Sequence, residues 1–221
     1  MRRKLQRGIA YIEFALSLMV LIPLLLGVIG IGLNMHQQLQ TVQLTRDAGH
    51  MFARNVDFTV LGNQQVLSGI AGSLGLTATG GVVGTSGSGT AVVILSMVRY
   101  VDVSACTLAG KVDSHGNPSG CTNYTKWVFS ERLVIGNNAL WSSNLGTPAA
   151  SIVASDGTIS ITNQVTNTTD VAAITGFNPW NSTTNTGLPS GQWVYVAEGC
   201  AKGFRMAPFS LGTNTYSQIY F

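Results

Sequence analysis

Charge is scarce in this chain of 221 residues. Only 10% of it is Asp, Glu, Lys or Arg, against ~25% in ordinary soluble domains. With so few ionic side chains, no basic stripe exists that could neutralise a phosphate backbone, so nucleic acid is excluded as a partner. Histidines number 3 and cysteines 3. No two cysteines form a CxxC pair and no histidine stands at ligand spacing from one, so a metal site is not expected. The sequence has no G-x-S-x-G, no HExxH and no EF-hand loop. The glycine-dense stretch 79–89 lacks the Gly-Lys-Ser/Thr that would make it a phosphate loop, and reads as a flexible linker or turn. No enzyme, and no cofactor, is predicted from this composition.

What charge there is lies unevenly. Arg2, Arg3, Lys4 and Arg7 hold four of the 12 positive charges, and no acid precedes Glu13. The remaining eight Lys/Arg face nine Asp/Glu, so the body is close to neutral. Directly after the basic head comes the feature that dominates the chain. Phe14 to Leu33, FALSLMVLIPLLLGVIGIGL, is twenty residues without a charge. As a helix it spans ~30 Å, the thickness of a bilayer core. Pro23 within it is tolerable in lipid as a kink. The basic cluster on one flank predicts a cytoplasmic N-terminus and an exported body. The apolar run is too long for an ordinary signal peptide, and no A-x-A site follows it. An uncleaved signal anchor is the main alternative.

Glu13 does not suit a plain anchor. A carboxylate at the hydrocarbon edge is unfavourable, though by less than the ~2.5–3.5 kcal/mol of one at the bilayer centre, and such a residue asks for a partner. Gly8 stands between the basic head and the apolar run. A cut after Gly8 would free an amine on Ile9, which a neighbouring subunit's Glu13 could pair with, offsetting desolvation and fixing axial register. The alternative is an incidental acid at a membrane boundary and an ordinary linker glycine.

The run Gly8, Ile9, Ala10, Tyr11, Ile12, Glu13, Phe14, Ala15 resembles the processing site of type IV pilin-like proteins, and within them the TadE-like branch of the tight-adherence (Flp) pilus system. The stretch Leu39 to Arg54, LQTVQLTRDAGHMFAR, is similar to the helix that follows the anchor in that family. Tyr195-Val196-Ala197-Glu198 with Phe204-Arg205-Met206-Ala207-Pro208 is similar to its closing strand and proline. Over most of 60–190 the resemblance is absent. It implies cleavage after Gly8 by a prepilin peptidase and assembly through Glu13 and Phe14. It also implies inner-membrane anchoring with the C-terminal domain periplasmic or extracellular, and partners among other pilin-like subunits and the pilus assembly platform. Expected roles are a minor pilin or pseudopilin, or alternatively a membrane-anchored scaffold or binding module that never enters a filament.

The expected fold is α+β. Residues 1–8 form a cytoplasmic leader. Residues 9–55 form one helix of ~70 Å, with the membrane segment at 14–33. On its outer half, Met35, Leu39 and Val42 share one face, read as stalk packing, and Leu44, Ala48 and Met51 share another, read as the seat of the body. His36 and His50 are read as surface or packing residues. Residues 56–90 form a helix or loop, with Val66 to Leu76 as a short helix candidate, and the linker. Residues 91–221 form an antiparallel β-rich domain. Strands are predicted at Ala91–Val101, Lys126–Val134 and Gln192–Glu198, with a hairpin of Ser151–Ala154 and Thr158–Thr162 about Asp156-Gly157. Cys106 and Cys121 flank the turn-rich segment Asp113–Pro118 and form a candidate disulfide; three buried thiols are the alternative. The segment 176–191, with Pro179 and Trp180, reads as a loop.

Overall fold

A computed structural model describes residues 2–78, 88–174, 178, 181, 183–184, 187–205 and 213–221, with side chains from Tyr11 onward. Most of the Gly-rich linker, the Pro179-Trp180 pair and the segment Met206-Ala207-Pro208 lie outside the described residues.

One helix, α1 (Arg2–Ala53), runs through the basic head, the apolar span and the stalk. At 1.5 Å per residue its 52 residues reach ~78 Å. A short second helix, α2 (Leu61–Ala71), returns along its outer end. Then come β1 (Ala91–Tyr100), α3 (Val103–Leu108), β2 (Trp127–Gly136), α4 (Ile161–Thr166), β3 (Trp193–Ala201) and β4 (Thr215–Tyr220). The strands form one antiparallel sheet in the order β2-β1-β3-β4, so the fold is α+β. β1 is central, and its nearly unbroken apolar run is buried on both faces, as a two-sided strand requires. The β1–β2 register shifts between Met97 and Val98, where Ser130 has no partner across the ladder.

The outer half of α1 lies across one face of this sheet. Thr41, Leu44, Thr45, Ala48 and Phe52 are buried, at the three- and four-residue spacing of a single helix face. They meet Val93 and Leu95 of β1, Leu133 and Ile135 of β2, and Ala197 and Ala201 of β3. Phe58 and Leu67 close this core from the α2 side. Met51 is partly buried against the same core, whereas Met35, Leu39 and Val42 point away from it and are exposed. The opposite sheet face is covered by the loop after β2, through Leu140, Trp141 and Leu145.

Three expectations need correction. The helix expected within 66–76 begins earlier, at Leu61, and ends at Ala71 with a tighter turn at Gly72–Leu74. The hairpin about Asp156-Gly157 is reduced to one bridge, Val153 with Ile159. Ser160 leaves the strand path because its side chain caps α4, accepting from the backbone N–H of Asn163. The strand expected as the last, Gln192–Glu198, is β3 and runs on to Ala201, and a further strand, β4, pairs with its free edge.

Candidate functional site

The segment from Tyr11 to Leu33 has almost no protein around it. Fourteen large apolar side chains in it are exposed, among them Phe14 at 65%, Leu24 at 62% and Val28 at 63%. At ~1.5–3 kcal/mol per apolar side chain, leaving that surface in water would cost about 20–40 kcal/mol. That exceeds the ~5–15 kcal/mol by which whole domains are stable. Lipid or other apolar helices must therefore cover it, and α1 is long and apolar enough to cross a membrane.

Glu13 is exposed at the start of this surface, one residue before Phe14. Its backbone carbonyl accepts from the Ser17 hydroxyl at 2.9 Å. Among the described residues its carboxylate has no hydrogen-bond partner, so α1 presents the acid outward on the same bare helix. Gly8 and Ile9 lie one to two turns earlier on α1. Ile9 and Glu13 are separated by ~6 Å of rise, about one turn.

Where the apolar span ends, the body begins. The Asn34 side chain grips the backbone of Phe204 from both sides: its Oδ1 accepts from Phe204 N at 3.1 Å, and its Nδ2 donates to Phe204 O at 3.4 Å. Nδ2 also donates to Gly30 O at 3.0 Å. Farther out, Gln38 Nε2 donates to Tyr216 O at 3.2 Å, and the Thr41 and Thr215 hydroxyls bond at 2.8 Å. The His50 ring packs on Phe221, with centroids 4.7 Å apart. These contacts fix the β domain immediately above the apolar span.

Small residues let the helix come this close. Thr41, Thr45 and Gly49 recur every four positions on α1. A Cβ built on Gly49 would fall 2.1 Å from the Phe221 ring and 3.0 Å from Ala197 Cβ. One built on Gly199, across the interface on β3, would fall 2.1 Å from Thr45 Oγ1. Sequence reasoning missed both Asn34 and this pair of glycines. The four-residue recurrence of Thr, Thr and Gly on the stalk was the available signal.

Cys106 and Cys121 are bonded, with Cα atoms 5.9 Å apart, and Cys200 is a buried free thiol. The bond ties α3 to the segment leading into β2, and Val101, Val128 and Val165 pack around it. It lies in the body, apart from Gly8, Ile9, Glu13 and Phe14. Buried acids are also confined to the body. Burial pushes the Asp170 carboxyl up to about 8, and burial together with Asp156 and Asp57 pushes Glu131 up to about 7. Among the described residues, no group of three or more His, Cys, Asp or Glu side chains is placed to hold a metal ion.

No curated protein and no solved structure matches this chain. The family model of the TadE-like proteins does match, over residues 8–50. Those residues hold Gly8, Ile9, Glu13, Phe14, the whole apolar span, Asn34 and the Thr41-Thr45-Gly49 stripe. Over residues 8–50, from Gly8 to the seat of the β domain, the chain is similar to the TadE-like proteins.

Proposed function

We propose that this protein is a minor pilin or pseudopilin-like component of the Tad (Flp) pilus machinery, anchored in the inner membrane through α1. Involvement in the Tad pilus system follows from the TadE-like segment. The finer reading is carried by one observation: an exposed carboxylate, Glu13, opens an apolar helix surface that the chain itself leaves bare.

In this reading a prepilin peptidase cuts between Gly8 and Ile9 and removes the basic head. The new Ile9 amine of one subunit pairs with Glu13 of the next, and Phe14 packs beside it. Charges that are costly singly in lipid become acceptable when paired and hydrogen-bonded. The pair also sets how far one helix rises over its neighbour. Above the lipid, the exposed stripe of Met35, Leu39 and Val42 continues the apolar surface away from the sheet, where another helix of the bundle would lie. The leader faces the cytoplasm and the β domain is exported, consistent with the basic residues at one end and with a disulfide in the body. The role is structural rather than catalytic, with the pilus assembly platform and other pilin-like subunits as partners.

The test is genetic and direct. Glu13→Ala and Glu13→Gln in the native host should leave the protein in the membrane but abolish its co-purification with pilus subunits, and Glu13→Asp should retain part of it. Normal pilus assembly and normal co-purification with Glu13→Ala would refute the assembly role.

A further inference from the structure

The sheet face turned away from α1 holds a buried charge. Arg132 of β2 is 1% exposed. Its Nη1 donates to Ser96 Oγ at 2.5 Å and its Nη2 to Gly146 O at 3.0 Å. The guanidinium also lies 5.1 Å from the centre of the Phe129 ring. Each of these partners is neutral. Glu198 of β3 is the acid whose field reaches Arg132, but its carboxylate is already engaged. It accepts from the Ser143 hydroxyl, from Asn144 N at 2.9 Å and from the Tyr216 hydroxyl at 2.8 Å.

Two donors on this face are left over. Arg132 Nε and Trp141 Nε1 are both buried, and neither has a hydrogen-bond acceptor among the described residues. Both residues line one cavity of about 220 Å³, between the sheet and the loop that follows β2. Ile94, Val134 and Pro148 supply its apolar walls, and Thr147 stands among its polar lining residues. A buried donor without an acceptor is costly, and a buried guanidinium more so. An acceptor carrying negative charge suits two such donors on residues that line the same cavity, because a carboxylate has two oxygens and takes charge-assisted hydrogen bonds of the stronger kind. The volume is below the ~300–1,000 Å³ of sites for drug-sized ligands, so the ligand is small.

We propose that this cavity binds a small monocarboxylate with a short apolar body. The carboxylate accepts from Arg132 Nε and Trp141 Nε1, and the body packs between Ile94, Val134 and Pro148. The site lies on the opposite side of the sheet from α1, so it is independent of anchoring and of assembly through Glu13.

The experiment uses the full chain in detergent micelles with ¹⁵N-labelled indoles, titrated with sodium benzoate at neutral pH. Trp141→Phe identifies the Trp141 signal. A saturable benzoate shift of that indole resonance is expected. Benzamide, of the same shape but neutral, should require at least roughly tenfold higher concentration, the factor expected from losing one charge-assisted hydrogen bond. Arg132→Gln disturbs a buried network and can prevent folding, so the second variant is Ala150→Leu, which fills the cavity from its exposed edge. It should abolish the benzoate shift while the protein melts as the wild type does. No saturable shift at Trp141, an equal response to benzamide, or an undiminished shift in folded Ala150→Leu would each overturn the proposal.

Discussion

Replacing Gly199 by alanine tests whether α1 sits on the sheet as described. The new Cβ would lie 2.1 Å from Thr45 Oγ1 and 3.3 Å from Thr45 Cβ. Thr45 cannot step aside easily. It is fully buried, its hydroxyl donates to Thr41 O at 2.7 Å, and a β-branched residue in a helix has few χ1 wells. The helix must therefore lift from β3. Overpacking of this kind costs about 1–3 kcal/mol. For a unit of this size, ~2–4 °C of melting temperature is lost per kcal/mol, so Gly199→Ala should melt roughly 2–12 °C lower. Gly69→Ala is the matched control. Its Cβ meets nothing within 4 Å in the last turn of α2, and alanine exceeds glycine in a helix interior by ~0.8–1 kcal/mol, so it should melt no lower than the wild type and by up to that amount higher. The assay is thermal unfolding followed by circular dichroism in one detergent. Thr45→Ala removes the clashing oxygen, so the double variant should recover at least ~0.5 kcal/mol relative to additivity. Wild-type melting of Gly199→Ala, or strict additivity with Thr45→Ala, would refute the helix–sheet contact.

Two further outcomes follow from the body. In the folded chain Asp170 and Glu131 keep their protons up to about 8 and about 7, whereas in the unfolded chain such groups titrate near ~4. The folded state thus binds more protons across that window. The contribution of these two acids to stability is fully present below about pH 4 and is lost as pH rises through about 7 and 8. Melting at pH 5 should exceed melting at pH 9, and Asp170→Asn should flatten the upper part of the profile; a rising profile from pH 5 to 9 would contradict the burial of these acids. Separately, Cys106→Ser should lower stability by about 3 kcal/mol, since the bond closes a loop with a sequence separation of 15. Denaturant midpoints with and without reductant measure this, and identical midpoints would count against the bond.

The elements that read well from sequence are those whose physics is local. Twenty uncharged residues can only be a helix in lipid or a deeply buried one, and α1 follows. The β-branched runs at 91–101 and 126–134 announce β1 and β2 because both faces of the strands are buried. The elements that did not read depend on what lies across from them. β4, TYSQIY, is short, and its side chains are mostly half-buried, so its alternation carries little signal. It becomes a strand because the edge of β3 offers it a ladder. Thr158 and Ile159 look like strand residues, but Ser160 serves α4 better as a cap. Arg132 and Glu198 fall on the alternation expected of a solvent-facing strand side. The irregular segments between β2 and β3, which have no periodicity to read, turn that side into a second interior. In the candidate site, the Gly8-to-Phe14 pattern was legible because it is contiguous. Asn34 was not, since its partner Phe204 is 170 residues away.

The most direct measurement is the intact mass and N-terminal sequence of the protein extracted from the membranes of its own host. Liberation of the Ile9 amine beside a waiting Glu13 predicts a mature chain that starts at Ile9, and an unprocessed one in Gly8→Ala. A chain that still carries Arg2, Arg3, Lys4 and Arg7 in a host with an active prepilin peptidase would contradict the account.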